Sequence, residues 1–197
     1  MNAENIAIRD KLKKKLPPAR FEHTLGVCYM SVALAMRWGA DIHKAELAGL
    51  LHDCAKQWKS SEIVAVCDEK GVRLREEERR TPSVVHQTLG AWMAEHTYGV
   101  KDQEVLSAIA CHTTGRPGMS TLDKIVYLAD FIEPDRKMLD CMDAIRREAF
   151  VDLDGAVLME LENVLGYLRS TGAPVDSKTR ETYEDFLRLR EERRNHG

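Results

Sequence analysis

The sequence of 197 residues lacks the features of membrane and secreted proteins. It has no run that approaches the roughly 18 consecutive apolar residues of a membrane span. Its first five residues, Met-Asn-Ala-Glu-Asn, do not show the charged-then-apolar layout of a signal peptide. The five cysteines form no C-x-x-C pair and lie mostly among apolar residues, as small core residues do. We therefore expect a protein of the reducing cytoplasm.

An excess of charge of one sign is also missing. The 29 basic and 32 acidic side chains give a net charge of -3, so no overall field recruits nucleic acid or a membrane, and we expect neither as a partner. Strand patterns are nearly absent, as are internal repeats and a G-x-x-x-x-G-K phosphate loop. The sequence predicts an all-α protein with one domain over residues 1–197 and argues against a P-loop nucleotide enzyme.

Apolar spacing, capping residues and helix-ending Gly and Pro predict a series of helices. They are expected at residues 3–16, 20–38, from Asp41 to about 52, 60–71, 83–99, from Asp102 to 112, 121–131, 140–150, 153–170 and 179–194. The C-terminal helices within 153–194 are expected to pack on the rest of the domain. The dense charge block 73–80 is interpreted as a solvated, mobile connection.

An adjacent His and Asp, His52 and Asp53, follow an apolar pair at the end of a predicted helix. Neighbouring helical positions point about 100° apart, so both side chains reach one ion only near a helix end or a bend. Further ligands must then come from distant helices. The predicted metal ligands are His23, His52, Asp53, His86, His112 and Asp130.

A lone histidine on an apolar face is more often a hydrogen-bonded core residue than a metal ligand. Five such signals together, namely His23, the His52–Asp53 pair, His86, His112 and Asp130, are much less common by chance. The three other histidines fit no such pattern: His43 and His96 look like helix-surface or helix-end residues, and His196 lies near the C-terminus. We exclude these three from the predicted site.

Basic groups close to the predicted ligands favour a phosphate-bearing substrate. Arg20 lies one helical turn before His23, and Lys56 follows Asp53 by three residues. Arg136 follows the helix that carries Asp130, and Arg116 lies in a loop of hydroxyl and glycine residues, 113–118. For each basic residue a solvated surface position is the alternative, and for the loop an ordinary turn.

The combined set resembles the signature of HD-domain metal-dependent phosphohydrolases. Four longer segments are similar to the YqeK family, the symmetrical diadenosine tetraphosphate hydrolases. These segments are RFEHTLGV (20–27), LLHDCAK (50–56), CHTTGRPGMS (111–120) and DKIVYLADFIEPDR (123–136). The resemblance implies an all-helical HD-domain bundle, an iron-type metal centre and cleavage of diadenosine tetraphosphate into two ADP molecules.

The resemblance also implies roles by position. His23, His52, Asp53 and Asp130 match primary metal ligands, while His86 and His112 match residues at a second metal or at the phosphate. Asp53, His86 and His112 are the expected catalytic residues. The expected substrate contacts are Arg20, Lys56, His86, His112, Thr113, Gly115, Asp130, Arg136, Pro174, Val175 and Asp176. Residues 175–177 are Val-Asp-Ser where many relatives have Ile-His-Pro, which predicts loose base selectivity.

The expected cofactor is one or two divalent transition-metal ions, iron first, with manganese, cobalt and zinc as alternatives. The expected ligand is a dinucleoside polyphosphate or a nucleoside diphosphate, and the oligomeric state is left open, with a homodimer as one alternative. Alternative functions are hydrolysis of another nucleotide, a non-hydrolytic nucleotide or redox sensor, and an HD-type di-iron oxygenase.

Overall fold

The computed structural model describes residues 1–196, which contain eleven α-helices, two short 3₁₀ turns and no strand. Gly197, the last residue of the predicted domain, lies outside the described residues. The helices are α1 (Ala3–Lys15), α2 (Pro18–Trp38), α3 (Ile42–Leu51), α4 (Ile63–Glu69), α5 (Glu76–Arg80), α6 (Val85–His96), α7 (Gln103–Cys111), α8 (Thr121–Ile132), α9 (Met142–Glu148), α10 (Leu153–Thr171) and α11 (Ser177–His196). The 3₁₀ turns are Cys54–Gln57 and Pro82–Val84. The all-α prediction is confirmed.

The helix starts follow from capping side chains that the sequence places just before each apolar pattern. Asn2 accepts a hydrogen bond from a backbone N–H in the first turn of α1, and Asp41 and Asp102 do the same for α3 and α7. Ser120 and Asp123 form a reciprocal capping box at the start of α8. These contacts satisfy N–H groups that have no partner inside the helix, so they set where each helix begins.

A layer of five helices, α2, α3, α6, α7 and α8, forms the core. Helix α2 packs against α3 and α8, and α7 packs against α3, α6 and α8. Leu34, Leu51, Leu89, Ile109 and Leu128 are fully buried where these helices meet. Apolar side chains from both sides of α2 are buried, which fits a central helix. In the described part of the chain, no helix combines the length and apolarity needed to cross a membrane.

The two C-terminal helices lie against this layer. Helix α10 packs on α8 and α9, and α11 packs on α10. Phe186 of α11 and Leu161 of α10 belong to the same hydrophobic cluster as the core residues of α2 and α3. These contacts are consistent with the predicted packing of helices 153–194 on the rest of a single domain.

The charge block 73–80 is ordered, so its interpretation as a mobile connection was wrong. It contains the short helix α5, and Arg75 just before that helix pairs with Asp176 at 3.0 Å. Glu78 is 2% exposed and accepts hydrogen bonds from Thr88 and from the backbone N–H of Arg75. The partner of Arg75 lies 101 residues further along the chain, and local charge density carries no information about such a distant partner.

We expect Gly49→Ala to destabilise the fold. A methyl group at this buried position of α3 would lie 2.9 Å from the Cα of Cys28 and 2.9 Å from the Oγ of Ser31, on the facing helix α2. Backbone atoms do not yield as side chains do, so we expect the free energy of unfolding to fall by about 1–3 kcal/mol. Chemical denaturation monitored by circular dichroism measures this change.

Gly166→Ala is the matched control, because Gly166 is also inside a helix but has no heavy atom within 4 Å of a built Cβ. Alanine is the better helix former, so this variant should be more stable than the wild type by about 0.5–1 kcal/mol. Equal effects of the two substitutions would contradict the close packing of α2 on α3.

Candidate metal centre

The junction between α3 and the following 3₁₀ turn brings His52 and Asp53 together. His52 still has helical dihedral angles, φ -51° and ψ -43°, whereas Asp53 departs to φ -105° and ψ 19°. The Nε2 of His52 lies 3.4 Å from the Oδ2 of Asp53. Two neighbours can thus face one point because the helix ends between them, as their adjacency in sequence predicted.

Five helices, α2, α3, α6, α7 and α8, or the residues directly after them, deliver the side chains of the predicted ligand set to one place. His23 comes from α2, His86 from the first turn of α6, His112 from the residue after α7, and Asp130 from the last turn of α8. The four histidines and Asp53 are buried, and Asp130 is partly exposed. The structure therefore assembles all six side chains that the sequence singled out.

Three of the imidazoles are oriented in the same way. In each, Nδ1 lies close to the backbone carbonyl oxygen three residues earlier: His52 to Gly49 at 2.7 Å, His86 to Ser83 at 2.7 Å and His112 to Ile109 at 2.8 Å. A carbonyl oxygen only accepts hydrogen bonds, so Nδ1 must carry the proton. The Nε2 lone pair of each neutral ring then faces the centre, which is the form that binds a metal.

The fourth imidazole is held by a carboxylate that the sequence analysis did not single out. Nδ1 of His23 lies 3.0 Å from Glu133 Oε1, and Glu133 also accepts a hydrogen bond from the backbone N–H of Asp135 at 2.7 Å. Gly26 leaves space for Glu133, since a methyl group there would collide with its carboxylate. Carboxylates often orient metal-binding histidines in this way. Its position three residues after Asp130 was an available signal.

Three ligand groups, His23, His52 and Asp130, surround one side of Asp53. Asp53 Oδ2 lies 3.4 Å from His52 Nε2 and 3.8 Å from His23 Nε2. Asp130 Oδ1 lies 3.0 Å from His23 Nε2 and 4.0 Å from His52 Nε2. With the Nδ1 proton assigned above, the Nε2 lone pair of His52 faces oxygens of Asp53 and Asp130, and like electrostatic potentials meet. A cation at their centre removes this conflict.

The other oxygen of Asp53 faces a second group of donors. Asp53 Oδ1 lies 3.5 Å from His86 Nε2 and 3.7 Å from His112 Nε2, and these two nitrogens are 3.2 Å apart. The hydroxyl of Thr113 lies 3.0 Å from His86 Nε2. Burial, together with the neighbouring His112, lowers the pKa of His86 to about 3, so its ring is neutral near pH 7. Asp53 thus stands between two sets of ligand atoms.

Unpartnered buried atoms show that the donor set fits a metal ion. Within residues 1–196, Nε2 of His23, Nε2 of His52 and Oδ1 of Asp53 are buried without a hydrogen-bond partner. Such atoms cost free energy unless a ligand satisfies them. The guanidinium of Arg20, 2.7 Å from Asp53 Oδ2, favours the ionised form of that carboxylate. Imidazole and ionised carboxylate together suit divalent transition metals, and subsets of these residues have metal-ligand spacing.

Basic side chains border the centre on its open side. Nη1 of Arg20 lies 2.7 Å from Asp53 Oδ2, and Nη2 of Arg136 lies 3.6 Å from Asp130 Oδ1. Lys56 lines the same space, where burial lowers its pKa in spite of nearby Asp53. The structure therefore places all three of these predicted phosphate contacts at the centre.

A pocket of about 310 Å³ opens from the metal centre toward the loop before α11. Its lining includes most of the predicted substrate contacts: Arg20, Lys56, His86, Thr113, Asp130, Arg136, Pro174 and Asp176. His112 is 2% exposed and lies behind His86. The carboxylate of Asp176 is already occupied, because it pairs with Arg75 and accepts a hydrogen bond from the first turn of α11.

Three residues of the predicted phosphate and nucleoside contacts do not lie where the sequence analysis expected. Gly115 is absent from the pocket lining and faces Thr182, while Val175 is also outside the lining. Arg116 pairs with Asp123 at 2.6 Å. The chain turns at Gly115, where φ is +67°, and this turn directs the second half of the loop toward α11 and the start of α8.

Gln87 is a second residue that the sequence analysis missed. It is fully buried, accepts hydrogen bonds from the backbone N–H groups of Thr113 and Thr114 at 3.1 and 3.2 Å, and donates to the Thr114 hydroxyl at 3.0 Å. It thereby ties α6 to the loop after His112. Its only signal in the sequence is an amide beside His86 in an otherwise apolar helix.

Comparisons with known proteins agree with this geometry. Residues 20–135 match the HD domain family. The chain belongs to the HD-domain family. Two curated relatives, from Halalkalibacterium halodurans and Bacillus subtilis, are both named symmetrical bis(5'-nucleosyl)-tetraphosphatase. The first relative is 37% identical to this chain, over 89% of this chain's length and 93% of its own length. The second relative is 36% identical, over 87% of this chain's length and 91% of its own length.

A solved HD-domain structure has the same fold. It is described as a predicted HD superfamily hydrolase involved in NAD metabolism from Clostridium acetobutylicum. It superposes with a TM-score of 0.88 and 37% identity over 93% of this chain and 96% of that one. The sequence-based assignments to an HD-domain bundle and to this family are therefore confirmed.

We expect Asp53→Ala to lose bound metal while keeping the HD fold. The substitution removes a carboxylate that faces both sets of donors, but it opens only a small space beside the chain's apolar core. Metal content after reconstitution with manganese, measured by atomic spectroscopy, should fall to near zero, and the far-ultraviolet circular dichroism should stay that of the wild type.

His43→Ala is the control, because His43 is exposed at the start of α3, on the opposite end from the metal centre. Its metal content should equal that of the wild type. A full complement of metal in Asp53→Ala, or a loss in His43→Ala, would show that the wrong side chains were chosen.

Proposed function

We propose that this HD-domain protein is a metal-dependent hydrolase that cleaves diadenosine tetraphosphate symmetrically into two ADP molecules. The observation that carries the proposal is the convergence of imidazole lone pairs on Asp53, directly beside Arg20, Lys56 and Arg136. The names of the curated relatives support the substrate.

The ligand roles belong to the same proposal. His23, His52, Asp53 Oδ2 and Asp130 would hold one ion, since their donor atoms surround one point. His86 and His112, with Asp53 Oδ1, would hold a second ion or contact the phosphate. Iron is our first choice, and manganese, cobalt and zinc suit the same nitrogen and oxygen donors. When bound, such an ion polarises a phosphate oxygen and lowers the pKa of a bound water toward neutrality.

Arg20 and Arg136 would bind phosphate oxygens. Both guanidinium groups now lie near carboxylates of the ligand set, Asp53 and Asp130. Once those carboxylates share their charge with a cation, each guanidinium is free to pair with a phosphate, for which its forked donors are well shaped. Lys56 would add a third positive charge on the same side.

The pocket toward α11 would hold one nucleoside. Val84, Val164, Leu168 and Pro174 supply apolar surface for a base there, and the carboxylate of Asp176 is paired with Arg75 rather than free to bind a base edge. Apolar surface contacts every base in much the same way, so we propose loose base selectivity, with guanosine dinucleotides also cleaved.

Other functions remain as alternatives with less support. The three basic side chains favour a phosphorylated ligand over the neutral substrate of a di-iron oxygenase. A non-hydrolytic nucleotide sensor could use the same pocket, and steady turnover would separate an enzyme from a sensor. All five cysteines are free thiols, four of them buried, which fits the proposed cytoplasmic location.

The reaction products test the position of the cleaved bond. If one ADP half lies along Arg20, Arg136 and the metal ligands, attack on the adjoining phosphate breaks the central bond. Chromatography after incubation of manganese- or iron-loaded protein with diadenosine tetraphosphate should then show ADP alone. ATP with AMP in equal amounts would refute the assigned binding register, even if turnover were fast.

Removing one guanidinium should weaken binding of the phosphate chain rather than of the nucleoside. For Arg20→Ala and Arg136→Ala we expect affinity for diadenosine tetraphosphate to fall by about 1.5–3 kcal/mol, the contribution of one charge-assisted hydrogen bond. Affinity for adenosine should barely change, and calorimetry on both ligands measures the difference.

Arg9→Ala is the matched control, since Arg9 is a partly exposed arginine of α1 whose partner is its neighbour Asp10. It should bind both ligands as the wild type does. Wild-type affinity for diadenosine tetraphosphate in Arg20→Ala and Arg136→Ala would exclude these residues as phosphate contacts.

A further inference from the structure

A symmetrical reaction places a demand on the site that the pocket toward α11 does not meet by itself. If the central bond is cleaved at the metal centre, two identical halves extend from that point, each with a nucleoside at its end. The pocket of about 310 Å³ is at the lower end of the range for small-ligand sites, roughly 300–1,000 Å³. It suits one nucleotide, so the second half needs another place.

A second cleft, of about 690 Å³, opens from the same basic side chains. Arg20, Lys56 and Arg136 line both this cleft and the pocket toward α11. His23 also lines the second cleft, and Asp53 and Asp130 line the first pocket. These three basic side chains therefore lie at the boundary between the two spaces, beside the metal-ligand set. The middle of a polyphosphate chain would lie there.

The far wall of this second cleft has the chemistry of a nucleoside site. Phe131 at the end of α8 offers an aromatic ring, and Leu139 adds apolar surface on the side of α9. Aromatic faces stack on any base. Asp135 lines the same cleft, and a carboxylate can accept hydrogen bonds from ribose hydroxyls.

We infer that the cleft lined by Phe131, Asp135 and Leu139 binds the second nucleoside of a dinucleoside tetraphosphate. The inference rests on the proposed function and extends it, because it assigns the two halves of the substrate to two spaces. The three basic side chains that line both spaces hold the four phosphates. Each nucleoside lies on its own side of the metal centre.

Leu139→Ser tests the inference without disturbing the core, since Leu139 is 43% exposed. Two quantities are measured in the metal-loaded protein: the KM for diadenosine tetraphosphate, and the inhibition constant of adenosine 5'-tetraphosphate, which has one nucleoside. We expect the KM to rise about fivefold or more, as for loss of one apolar contact. The inhibition constant should change by less than about twofold, since a single nucleoside retains the pocket toward α11.

Val151→Ser is the matched control: Val151 is 69% exposed, precedes α10 and lies outside the lining of both spaces. Both of its constants should equal those of the wild type. An unchanged KM in Leu139→Ser, or an equal rise of both constants, would overturn the inference while leaving the hydrolase proposal intact. Absence of wild-type turnover would instead reject the proposed function, and the inference with it.

Discussion

The site depends on a carboxylate buried among imidazoles. Asp53 is 2% exposed, and both of its oxygens face the Nε2 atoms of histidines. Removal of a carboxylate from water is costly, and Arg20 offsets only part of that cost, because one oxygen remains without a hydrogen bond. The surrounding helices must therefore supply the free energy that keeps these groups together. The same unsatisfied atoms are the ones that a cation would satisfy.

Helix ends supply the rigidity that this arrangement requires. The last carbonyl groups of a helix have no partner inside it, and the Nδ1–H groups of His52 and His112 bind such carbonyls at the ends of α3 and α7. One contact thus caps the helix, selects the tautomer of the ring and aims Nε2 at Asp53. Glu133, which follows α8, orients His23 from the facing side. The orientation of the ligands is coupled to where the helices end.

The distribution of charge around the centre relates the fold to the proposed chemistry. The chain as a whole is close to neutral, with a net charge of -3, so attraction of a phosphate chain has to be local. Arg20 from the start of α2, Lys56 from the turn after Asp53 and Arg136 from the segment after α8 meet on the open side of the metal centre. They lie between two spaces, which suits a long anion bound at its middle.

The sequence by itself determined every helix except the short α5, and it determined the six central side chains, because caps, apolar spacing and the chemistry of His and Asp are local properties. Only the tertiary structure decided how the charged groups pair. It paired Arg75 with Asp176 and Arg116 with Asp123, and it brought Glu133 to His23 across 110 residues. The free energy of a buried polar group depends on partners that distant segments provide, and a local pattern does not identify those partners.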